Sequence, residues 1–78
     1  MLIHVDVEKF KADKSFYDRA FVEFIKSEWL RSKNDATRRL QKAKKVATKS
    51  NWLLVIELAD MNVQKADEVI KAMEADQT

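Results

Sequence analysis

The stretch Asn51–Met73 reads NWLLVIELADMNVQKADEVIKAM, and its reading decides the fold. Within it Trp52, Ile56, Ala59, Val63, Ala66, Ile70 and Met73 alternate at spacings of four and three. That spacing lines them along one side of a helix for three heptads. A rival reading takes 52–58 as a buried strand, followed by a helix capped at Asn62, which would make the domain α+β. Leu53, Leu54, Val55, Ile56 and Leu58 suit a strand. The heptad passes through Ala59 and Val63 without losing phase, however, and neither Gly nor Pro interrupts it. One helix over about 51–75 is therefore preferred, capped by Ser50–Asn51, with Asp76–Thr78 fraying.

A seam running the length of such a helix covers roughly 30 Å at 1.5 Å per residue. The first helix of the chain covers only part of it, so the seven seam residues predict self-association, most simply a two-fold homodimer. Both tryptophans, Trp29 and Trp52, lie beside other large apolar residues and are expected in the core.

Upstream, Arg38, Lys42, Lys45 and Lys49 are spaced four, three and four, opposite a stripe of Ala36, Leu40, Ala43 and Ala47. This reads as a second helix over about 35–48, small residues inward and a cationic ridge outward. Before it, Phe16, Tyr17, Ala20, Phe21, Phe24 and Ile25 carry helical spacing over about 15–31, with Ser15 and Asp18 at capping-box positions. The two stripes differ by about 110° at 100° per residue. Ser32-Lys33-Asn34-Asp35 lies between them, so a turn or kink is expected near Asn34. At the start, Leu2–Val7 (LIHVDV) alternates apolar and polar residues, the period of a short strand. Six residues make no sheet alone, and a symmetry mate is the simplest partner. The fold expected is a mainly α, three-helix domain with a short N-terminal strand, dimeric, occupying 1–78 as a single domain.

Composition narrows the chemistry. The 78 residues contain no Cys, Gly or Pro and one His. Thiol nucleophiles, disulfides and Cys-based metal sites are excluded, as are Gly-rich phosphate loops. His4, Asp6 and Glu8 would share a strand face, but alternate residues sit roughly 6.5–7 Å apart, too far to close round one ion easily. Of the carboxylate pairs, Asp67/Glu68 is adjacent and diverges on a helix, and Glu57/Asp60 has no neighbouring His or apolar pocket to raise a pKa. No Ser lies near His4 in sequence. No enzymatic activity, cofactor or metal is expected. The longest apolar run, Trp52–Ile56, falls far short of the roughly 20 residues a membrane span needs. With no secretory signal and no Cys, the expected location is the cytoplasm, with no membrane partner.

Charge is the informative feature. Residues 1–29 carry net −1, residues 30–50 net +7 and residues 51–78 net −4. The middle segment holds Arg31, Lys33, Arg38, Arg39, Lys42, Lys44, Lys45 and Lys49 against one acid, Asp35. Several cations on one helix face can reach successive phosphates together. Arg38, Arg39, Lys42, Lys45 and Lys49, extended by Arg31, are the candidate nucleic-acid contacts, DNA or RNA. Few Asn, Gln or Ser residues are placed to read base edges, so backbone docking without marked sequence preference is expected. The alternative is a helical protein–protein interaction module, an adaptor or inhibitor, whose basic segment pairs with Glu57, Asp60, Asp67, Glu68 and Glu74.

Overall fold

The computed structural model describes residues 3–76. It contains three helices, α1 (Val7–Ala12), α2 (Arg19–Lys42) and α3 (Val46–Asp76). At 1.5 Å per residue the two long ones run about 36 Å and 46 Å. They form a hairpin, and its antiparallel register is written in three ion pairs. Arg19 meets Glu74 at 2.9 Å, Lys26 meets Asp67 at 3.1 Å, and Lys33 meets Asp60 at 2.7 Å. Each step advances seven residues on α2 and retreats seven on α3, the geometry of helices packed at a shallow angle through heptads.

Inside this ladder the seam of α2 is Val22, Ile25, Trp29 and Ala36, all buried. That of α3 is Ala59, Asn62, Ala66, Val69, Ile70 and Met73. The long helix over 51–75 is present and extends to Val46 at its start, so 52–58 is helix and the second-strand alternative falls. The row facing α2 is rotated from the expected one. Asn62 and Val69 are fully enclosed, whereas Trp52, Ile56 and Val63 are only half-buried. Ala59, Ala66, Ile70 and Met73 are buried against this chain's own elements, so the interface expected on the seven seam residues is largely filled within one protomer. The 24 residues of α2 provide the length that a helix ending at 31 lacks.

That length exists because the turn expected near Asn34 does not occur. Ser32, Asn34 and Asp35 lie inside α2, and the chain turns at 43–45, where Ala43 is extended (φ −70°, ψ 138°). The expected break came from taking the aromatic row as the inward face. Phe16, Phe21 and Phe24 are exposed, while Val22, Ile25 and Trp29 are buried. Trp29, Ala36 and Ala43 are seven apart, so the true inward row crosses 34 in phase and a straight helix serves it.

No strand occurs among the described residues. Leu2 lies outside them, and residues 3–6 form neither helix nor strand, with Asp6 extended (φ −137°, ψ 126°). They lie in the groove beside the hairpin. The Trp29 indole Nε1–H donates to the Ile3 carbonyl at 2.9 Å, and the His4 ring sits 5.7 Å from the indole. Asp6 then caps α1 by accepting from the Glu8 N–H, and its own N–H donates to the Tyr17 hydroxyl. Val5 and Phe10 are the buried anchors of this strap. Two short polar links close it. Asp13 accepts from the Ser15 backbone and hydroxyl, which holds its carboxyl below the ordinary range, and Lys14 meets Asp76 at 3.3 Å.

The strap reaches only part of the hairpin. The molecule measures 49 × 21 × 17 Å, with a radius of gyration of 14.9 Å. A compact chain of this length would have about 11.5 Å. Beyond Trp29 and Asn62, the two helices continue as an uncovered pair.

Candidate functional site

The uncovered end carries the cations. The corner at 43–45 divides the expected ridge between two helices. Arg31, Arg38, Arg39 and Lys42 belong to α2, and Lys49 to the first turn of α3. Lys44 and Lys45 stand in the turn between them. All except Lys33 are exposed. What sequence reading expected as a line on one helix is a cationic tip, and Lys44, left out of the expected contacts, stands at its apex. The adjacent pair Lys44-Lys45 next to Ala43 was its only sequence signal.

Neutralisation within the tip is slight. Arg39 Nε donates to Asp35 at 3.0 Å, and Lys33 reaches Asp60. The other six cations of the segment make no ion pair among the described residues. Among the acids of α3, Glu74, Asp67 and Asp76 pair with cations outside the tip. Glu74 holds Arg19, raising the guanidinium pKa through that hydrogen bond. Asp67 accepts from Lys26 and from Lys71 and is lowered by them. Arg31 and Arg38 line a surface groove of about 330 Å³ with Glu28, Ser32 and Asp35. It adjoins another of about 380 Å³ between Asp35, Arg38, Arg39 and Lys42. Together they make an open, cation-lined track along the outer flank of α2.

The two helix ends at this tip treat their cations differently. Arg39 and Lys42 occupy the last turn of α2, where positive charge satisfies the helix dipole. Lys49 lies in the first turn of α3, which has no acid, with Lys45 directly before it. Cations there oppose the dipole, at a cost of a few tenths of a kcal/mol each. They do not serve the local fold.

Trp52 sits at the root of the tip. Its ring is covered by the Arg39 guanidinium at 5.2 Å, so it is half-buried under a cation rather than enclosed as expected. Of the residues considered for metal binding, Asp6 is spent on capping α1. His4 points to Asn62, its Nδ1 2.7 Å from the amide oxygen. No group of three His, Asp or Glu residues is placed to hold a metal among the described residues. No described helix is long and apolar enough to cross a membrane.

Comparison with protein-family models, with curated proteins and with solved structures gives no match.

Proposed function

We propose that this chain is a small, non-enzymatic nucleic-acid-binding protein, a regulator or accessory factor that docks its cationic tip on the phosphate backbone. The observation that carries the reading is the pairing pattern. Of eight cations between 30 and 50, only Lys33 pairs with an acid of α3 among the described residues, and the turns of that helix beside the tip, 46–56, carry no acid. A basic segment kept for internal neutralisation would be paired more fully. The cations before and in the first turn of α3 add to this, because they work against their own helix.

In this mechanism Arg31, Arg38 and Lys42 follow one strand along the outer flank of α2. Lys44, Lys45 and Lys49 meet phosphates across the end of the hairpin. Contacts of this kind position a protein on nucleic acid without reading its sequence. With four or five of these six cations on phosphates at once, log affinity falls with log salt at a slope of about −4 for duplex DNA, or about −3 for single strands. Titrating labelled duplex and single-stranded oligonucleotides at two salt concentrations measures that slope. Lys42→Glu with Lys45→Glu should remove most binding and leave the fold intact. Absence of binding to either oligonucleotide at low salt overturns the reading and leaves the protein–protein alternative.

A further inference from the structure

A second apolar row runs along α3, outside the seam that α2 covers. Ala47, Asn51, Leu54, Leu58, Met61 and Lys65 are spaced four, three, four, three and four. Its centre is bare: Leu54 is 64% exposed, Leu58 45% and Met61 54%. Three large apolar side chains at positions i, i+4 and i+7 form a strip two turns long, the unit of a helix–helix seam. The strap covers the neighbouring groove only as far as Asn62. We propose that this strip is the contact between two copies of the chain, packed antiparallel through α3. The inference stands apart from the nucleic-acid reading and does not need it.

Charge selects both the occupant and its direction. Residues 30–58 carry eight cations and two acids, net +6; the remainder carries seven cations and eleven acids, net −4. A rod with such opposed ends repels a parallel copy and attracts an antiparallel one. The strip lies between the two charge regions, so antiparallel pairing centred on it sets each basic half beside the other copy's acidic half. In that register Leu54 faces Met61 of the second copy, and Leu58 lies near the two-fold axis. Ala47, in the first turn of α3, faces Glu68 of the second copy. That carboxylate meets the helix end that has no acid of its own and is crowded by Lys44, Lys45 and Lys49. Arg31, Arg38 and Lys42, on the outer flank of α2, stay outside the contact.

Sedimentation across micromolar concentrations, with the full chain, tests the association. Wild type should shift from monomer to dimer as concentration rises. Leu58→Asp should remain monomeric with its melting curve retained, since that side chain is already exposed. Orientation is tested by cross-linking in this cysteine-free sequence. Asn51→Cys and Gln64→Cys chains, mixed, should form a disulfide with one another. Asn51→Cys alone should form none, its two copies lying about 20 Å apart at 1.5 Å per residue. Wild type that stays monomeric to several hundred micromolar overturns the proposal. So does a dimer that survives Leu58→Asp, or one in which Asn51→Cys cross-links to itself.

Discussion

The two halves of this hairpin are built from the same helices and differ in what lies over them. At the strapped end, residues 3–17 add a third layer, and Val5, Phe10, Val22, Ile25, Trp29, Val69 and Met73 close into one core. Two rungs of the ion-pair ladder, at Arg19 and Lys26, align the helices there. At the tip there is no third layer. The ladder ends at Lys33–Asp60, and the next step in the same register falls on two leucines, Leu40 and Leu53. Cations and bare apolar side chains take over the surface. In so small a protein, one half holds the closed core and the other leaves its cations and apolar side chains exposed.

The tryptophans give the sharpest test of that difference. Trp29 is enclosed and also holds the strap through its indole N–H. Trp29→Ala should cost about 3–5 kcal/mol, lowering the melting temperature by about 4–8 °C per kcal/mol for a domain of this size. Trp52→Ala, at the tip, should cost only about 1–2 kcal/mol, since the ring is half-buried beneath Arg39. Equal losses in thermal melts of the two variants would break the comparison.

Next in size is the polar contact that ends the strapped half. The Asn62 amide Nδ2–H donates to the Leu58 carbonyl at 2.9 Å. Its oxygen is therefore left to accept from His4 Nδ1–H. Asn62→Ala removes both bonds and should cost about 1–3 kcal/mol. Hydrogen exchange should show faster opening confined to residues 3–6 and the middle of α3. Protection unchanged at the strap would mean that His4 does not anchor it.

Asp67 provides a smaller, pH-dependent contrast. Its carboxyl is held below the ordinary range chiefly by the Lys26 hydrogen bond, then by Lys71. A depressed folded-state pKa contributes stability above the unfolded value and loses it as pH falls through the folded one. Asp67→Asn should therefore flatten the acid limb of the stability profile below about pH 4, the ordinary aspartate range. At neutral pH it should shift the melt less than Trp52→Ala does, because surface ion pairs contribute little. Melts from pH 2 to 7 measure both.

The smallest expected effect has the opposite sign. Lys49→Glu puts an acid into the first turn of α3, where the dipole favours it, and should stabilise the chain by a few tenths of a kcal/mol. The same variant should weaken oligonucleotide binding at low salt. A destabilised variant would show that Lys49 serves the fold after all.

Much of this architecture follows from residue spacing alone. Seven apolar residues from Trp52 to Met73 in four–three alternation favour one long helix over a strand at 52–58, because only a helix returns all seven to one side. The absence of Cys, Gly and Pro, and the +7 charge of 30–50, are properties of the chain in any fold. Spacing cannot say which of two adjacent apolar rows turns inward. Phe21 and Phe24 outrank Val22 and Ile25 in size, yet the smaller pair is buried, because the inward row must also carry Trp29 and Ala36 against α3. On α3, the row through Asn62 and Val69 displaced the one through Val63, because His4 and the strap approach from that side. The turn at 43–45 followed, since a helix facing its partner in phase has no reason to stop at Asn34. Residues 3–6 have the alternation of a strand but no neighbouring strand to pair with. Their order comes from Trp29 and Asn62, contacts 26 and 58 residues away in sequence that only the folded hairpin brings within reach.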